Sequence, residues 1–160
     1  MAELYGLDGE EPNSSLTIEM VRHAEKKLGY KLPESYLRVL RMRNGGYVTP
    51  VSFDTGYEIP GQGRFIVLPE LFGIGYREAI DGEYGSSYFI KEWGYPDIGV
   101  VISSEGHTAI MLDYSECGPT GEPAVTFVDV EWSDGPHTVR VADTFEDFFL
   151  RLEEDDSEGW

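Results

Sequence analysis

Between residues 18 and 28 the apolar side chains Ile18, Val21, Ala24 and Leu28 recur at spacings of three and four. That spacing places them on one stripe of an α-helix, because about 3.6 residues complete a turn. Thr17 can cap the start of this helix and Gly29 stops it. Pro33 fits the first turn of a second helix, where a missing N–H costs nothing, and Tyr36, Leu37 and Leu40 supply its apolar face. Asn44, Gly45 and Gly46 end it with residues that tolerate positive φ. The two short helices make a helical corner. Towards the other end of the chain, Thr144 is followed three residues later by Asp147, close to a capping box. Phe145, Phe148, Phe149 and Leu152 give this C-terminal helix its apolar face.

After Gly46 the period changes. Short runs rich in β-branched and aromatic residues alternate with Gly and Pro. They predict strands over 47–51, 64–68, 99–103, 108–113, 124–132 and 138–141, with a short helix over 86–94. In the run beginning at Ala124, alternation sets Thr126, Val128, Val130 and Trp132 on one face, and Val125, Phe127, Asp129 and Glu131 on the other. Helices, then many strands, then a helix is the order of an α+β fold. The expected architecture is a mostly antiparallel central sheet flanked by two N-terminal helices and a C-terminal helix. The expected organisation is one domain over 16–153, a flexible lead-in over 1–15 and an acidic tail over 154–160.

The chain has 160 residues, enough to bury a real core. No apolar run approaches the length needed to cross a bilayer, and the acidic start lacks the basic and apolar regions of a secretory signal. With a single cysteine there is no internal disulfide. The expected compartment is the cytoplasm. Charge changes the picture most: 30 acidic against 12 basic side chains give a formal net charge of -18. Such a field repels phosphate backbones and argues against nucleic acid as a partner. The charge is also uneven. Residues 22–43 carry seven bases against two acids, whereas residues 44–160 carry five bases against 23 acids. A basic helical corner therefore sits on an acidic body.

The single cysteine, Cys117, lies in the stretch "LDYSECGPTGEPAV" between two predicted strands, so its Gly and Pro residues mark a hairpin tip. A nucleophilic thiol needs a nearby cation, base or helix N-terminus. Glu116 and Glu122 flank Cys117 instead, and carboxylates push a thiol pKa upward. Asp113, Asp129, Glu131 and Asp134 cluster in sequence but lack the spacing of a calcium loop. The glycine-rich "GQGR" and "LFGIG" lack the phosphate-loop Lys-Ser/Thr and the complete dinucleotide fingerprint. No catalytic residue, cofactor or metal is expected. Trp93 and Trp132 are expected in the core or at its rim rather than as binding anchors, and Trp160 at a terminus.

Three segments carry a family resemblance: "KKLGYKLPESYLRVLRMRNGGYV", "LDYSECGPTGEPAVTFVDVE" and "ADTFEDFFLRL". Their order and spacing resemble the SUKH superfamily, named partly for a fungal regulator of cell-wall glucan synthesis and abundant among bacterial toxin-immunity proteins. The resemblance implies binding without catalysis. Its bacterial branch neutralises cognate toxins, often nucleases or other nucleic-acid-modifying enzymes. In the family the "LDY…GEP" hairpin is architectural, which makes Cys117 incidental. The expected function is thus an immunity protein that binds a toxin domain with a cationic surface; the alternative is a regulatory or scaffold domain of the glucan-synthesis-regulator type. An enzyme is disfavoured and no membrane partner is expected. The acids Glu116, Glu122, Asp129, Glu131 and Asp134 are the candidate partner-binding residues, as outward members of the acidic body.

Overall fold

The computed structural model describes residues 3–5, 14–49 and 52–156. The rest of the expected lead-in, positions 50 and 51 of the first predicted strand, and tail residues 157–160 with Trp160 lie outside the described residues. In chain order the elements are β1 (Glu3–Tyr5), α1 (Ile18–Leu28), α2 (Glu34–Met42), β2 (Gly46–Thr49), β3 (Ser52–Ile59), β4 (Gly63–Val67), β5 (Glu70–Leu71), α3 (Ser86–Trp93), β6 (Gly99–Ser104), β7 (Thr108–Asp113), β8 (Ala124–Asp129), β9 (His137–Ala142) and α4 (Phe145–Asp156). The fold is α+β, with helices flanking a central sheet. Two details differ from expectation. Three residues of the lead-in form β1 and pair with β2, and α4 runs into the stretch assigned to the tail.

The helical corner forms for the reasons its sequence implies. The Met20 amide donates to the Thr17 hydroxyl at 3.2 Å, capping α1. Gly29 then turns at φ 85, a left-handed conformation that costs glycine little. Pro33 stands one place earlier than expected, as the residue before α2 rather than its first turn, with an extended ψ of 141. At the far end of the chain the Asp147 amide donates to the Thr144 hydroxyl at 3.1 Å, so the predicted cap of α4 forms.

The central sheet is a four-stranded meander, β6-β7-β8-β9, with every neighbouring pair antiparallel. A three-stranded sheet, β1-β2-β5, and the hairpin β3-β4 lie beside it. α4 packs on β3, β8 and β9, and α3 packs on β6. Covered this way, β8 is buried along its whole length, not on alternate positions. Its residues are apolar but for Thr126 and Asp129, as expected of a strand buried on both faces. Thr126 is satisfied by donating its hydroxyl to Asp113 Oδ2 at 2.8 Å. The strand also stops at Asp129, short of the predicted Trp132, so the outward alternation expected for Asp129 and Glu131 ends where the chain turns.

One contiguous core holds Leu32, Tyr36, Leu40, Leu112, Val128 and Phe148 together. The Tyr36 ring meets Phe145 edge-on at 5.3 Å, and its hydroxyl donates to the Phe72 carbonyl, so the polar end of this fully buried side chain is not orphaned. Asn44 is buried as well. Its side-chain oxygen accepts from the Ile74 amide at 2.8 Å, and its side-chain nitrogen donates to the Ile74 carbonyl at 2.7 Å and the Ser14 carbonyl at 3.0 Å. The helical corner is thereby fastened to a loop in the strand-rich half. Gly45 must be glycine: besides its φ of 90, a Cβ there would lie 2.3 Å from the Tyr76 hydroxyl and 2.8 Å from the Gly73 amide nitrogen.

α4 offers a controlled test of this packing. Phe148 is 0% exposed and Leu150, on the same helix, is 54% exposed. Phe148→Ala should lower stability by about 3–5 kcal/mol, whereas Leu150→Ala should stay within about 0.5 kcal/mol. Urea denaturation of both variants measures the difference; equal losses would contradict the described orientation of α4.

Candidate functional site

The β7–β8 connection forms a hairpin tip that is latched to the helical corner at Lys31. The Tyr114 hydroxyl donates to the Lys31 carbonyl at 2.8 Å, and the Lys31 amide donates to the Pro119 carbonyl at 2.8 Å. Tyr30 stacks on Tyr114 with ring centroids 4.4 Å apart. The strand before the tip ends at Asp113, whose Oδ1 accepts from the Ser115 amide at 2.9 Å and hydroxyl at 2.7 Å. Gly118 turns the chain at φ 79. The "LDY" and "GEP" motifs therefore lock a turn onto the α1–α2 junction.

Cys117 is exposed on this tip. Partial burial pushes its thiol pKa up, and Asp113 and Glu122 push it further; its own backbone bond and Arg140 only oppose them. A raised pKa favours the neutral thiol, which is a poor nucleophile and a poor ligand. Glu116 is exposed and forms an ion pair with Arg140. Glu122 is exposed and has no hydrogen-bond or ion-pair partner among the described residues.

A second group of acids lies where β8 ends. Asp129 is 8% exposed, a correction to the outward position expected of it. Its Oδ1 accepts from the Glu131 amide at 3.0 Å, and its Oδ2 accepts from the Trp132 indole N–H at 3.2 Å. His107 Nδ1 lies 3.4 Å from Asp129 Oδ1 and 3.0 Å from Glu131 Oε2. Burial acts to raise the Asp129 pKa, but the bonds from the Glu131 amide, His107 and Trp132 outweigh it and leave the carboxyl below its ordinary value. Asp134 pairs with His137 Nε2 at 2.9 Å, and the His137 ring stacks on Trp132 at 4.5 Å. Asp129 is thus a positioning group that fixes Trp132 and the start of the turn, while Glu131 and Asp134 are exposed.

The five candidate residues do not form one patch. Asp113 pairs with Ala124 at one end of β8, and Thr108 pairs with Asp129 at the other. Five residue steps at about 3.3 Å each separate the ends by about 17 Å. Glu116 and Glu122 stand at the tip end; Asp129, Glu131 and Asp134 stand at the opposite end. Sequence proximity concealed this because β8 runs straight between them. It also concealed His107, which enters the second group only because β7 pairs with β8. His107, Asp129 and Glu131 have ligand atoms within 4.8 Å of one another, a set whose types suit a divalent cation. The hydrogen bonds and ion pairs above already account for their approach. Trp132 and Trp93 are both exposed and lie outside the core.

No helix among the described residues is long and apolar enough to cross a membrane. The sequence model of the SMI1 / KNR4 family (SUKH-1) matches residues 15–151, which covers both helical corner and meander. None of the curated proteins compared with the chain matches it.

Two outcomes check this geometry. Cys117→Ser should change stability by no more than about 0.5 kcal/mol, and the thiol should titrate above its ordinary value, followed by thiolate absorbance. A midpoint below the ordinary thiol value of about 8.5 would contradict the raised pKa. Asp129→Asn should be less stable than the parent protein at neutral pH. The folded Asp129 pKa is depressed, so its contribution is complete above the ordinary carboxylate value of about 4 and is lost as pH falls through the lower folded value. The gap between the two proteins in urea denaturation should therefore narrow from pH 6 to pH 3.

Proposed function

Because the chain belongs to the SMI1 / KNR4 family (SUKH-1), we propose that it is a non-catalytic immunity protein that neutralises a bacterial toxin by direct binding. The observation that carries the reading is family membership over residues 15–151 joined to a net charge of -18 concentrated outside the helical corner. Enzymes that act on nucleic acid present a cationic path to their substrate. An acidic protein approaching that path is steered to it, gains association rate, and competes with phosphate for the same cations. Toxins of this class, nucleases among them, are the partners whose surface suits this one.

The acids at the hairpin tip are the favoured contact. Glu122 is exposed and unpaired, and Glu116 is exposed beside it on a tip that the Lys31 latch holds in place. Glu116 is paired with Arg140, and at the other end of β8 Glu131 and Asp134 each lie against a histidine, so of these four exposed acids Glu122 is the one without a partner among the described residues. Asp129 serves there as an internal brace.

Copurification from the native host supplies the partner, and surface binding kinetics at two salt concentrations test the mechanism. The Debye length falls from about 10 Å at 0.1 M to about 3 Å at 1 M salt, so steered association should slow steeply over that range. Glu116→Lys combined with Glu122→Lys should slow association at low salt far more than Glu131→Lys combined with Asp134→Lys. Association indifferent to salt would overturn electrostatic steering, and a larger effect of the second pair would move the interface to the other end of β8.

A further inference from the structure

Beside the hairpin tip a cleft of about 400 Å³ opens between the end of α1 and the segment leading into β6. Its aromatic lining is the stacked pair Tyr30 and Tyr114; Leu28, Ile98 and Pro119 add apolar walls; Asp97 and Ser115 stand at its polar side. Tyr114 is committed to the Lys31 carbonyl. Tyr30 is partly exposed, and its hydroxyl has no hydrogen-bond partner among the described residues. The Asp97 carboxylate is exposed and likewise has neither hydrogen bond nor ion pair among the described residues.

We infer that this cleft receives one arginine side chain projecting from the protein partner, an inference that rests on the partner-binding reading above. The planar guanidinium stacks on aromatic rings and presents a fork of N–H donors that a carboxylate accepts in pairs. Tyr30 and Asp97 supply those two features in one cleft. Leu28, Ile98 and Pro119 supply apolar surface against which the methylene stem lies. The sign of the field agrees: burial raises the Tyr30 phenol pKa first, and the negative charges of Asp97 and Asp113 raise it further. The adjacent bases do not close the cleft. Lys31 holds it through backbone groups, and the Lys27 ammonium is bonded to the Asp81 carbonyl at 2.6 Å.

The test needs no partner, so its outcome is separate from that of the toxin-binding reading. The intact protein is titrated with N-acetyl-arginine methylamide, and amide shifts are followed by two-dimensional NMR. Saturable shifts are expected at Tyr30, Asp97, Ile98 and Ser115. The citrulline analogue, equal in shape but uncharged, should bind at least about tenfold more weakly. Asp97→Asn, a change at an exposed and unpaired side chain, should weaken arginine binding to a similar degree, and Glu58→Gln, at an exposed position of β3 outside the cleft, should leave it unchanged. Tyr30→Leu should weaken it too; if that variant does not fold, the Asp97 variant still decides. Equal binding of the citrulline analogue, equal shifts at Glu131 and Asp134, or unchanged binding to the Asp97 variant would each overturn the inference. Tighter binding of free arginine than of the capped form would also overturn it, because the cleft would then be built for a small molecule and not for a side chain.

Discussion

The amide side chain of Asn44 closes both backbone groups of Ile74 and a carbonyl of the segment before α1. Its neighbour Gly45 admits the loop at a distance that no side chain allows. Where a buried polar group is fully satisfied it specifies one arrangement, and where it is half satisfied it costs about 1–3 kcal/mol for each orphan. The helical corner and the strand body are consequently held in one relative position. The Tyr36 hydroxyl on Phe72 makes a second such link from α2 to the same loop.

That fixed position is what makes the tip of the β7–β8 hairpin a defined surface. Lys31, in the junction between α1 and α2, accepts from the Tyr114 hydroxyl at its carbonyl and donates its amide to the Pro119 carbonyl. Asn44 and Tyr36, with the apolar face of the corner, hold the helices from which the tip is latched. The stacked tyrosines follow from this latch, and so does the cleft beside them. A surface loop ordered by its own turns and by contacts from a distant element loses little entropy when a partner binds it. The acidic groups it carries can then be recognised by position as well as by charge.

Electrostatics and packing divide the labour at the two ends of β8. At the tip, exposed acids stand with one ion pair to Arg140 and one unpaired carboxylate. At the far end, carboxylates are drawn into hydrogen bonds with Trp132, His107 and His137. The same residue type therefore serves as surface charge in one place and as internal brace in the other. Desolvation decides between the roles: a buried carboxylate must be hydrogen-bonded, and Asp129 is.

The sequence by itself determined the helices, the fold class and the nature of the hairpin tip. Their signals are local: Thr17 and Thr144 cap within three residues, Gly29 permits a left-handed turn, and apolar spacing of three and four needs no partner to be read. The family resemblance rested on the same local motifs. β3 was not legible, because Gly56, at φ 86, lies where its register with β4 shifts and breaks the alternation that marks a strand. β1 and β5 are short and take their strand character from pairing with β2. Only the tertiary structure decided that Asp129 turns inward, that His107 joins Glu131, and that five acids adjacent in sequence separate into two groups. Each depends on which strand lies beside β8 and on what covers its faces. Period-two alternation fixes how side chains are disposed along a strand, but burial and charge pairing are set by neighbours far away in the chain.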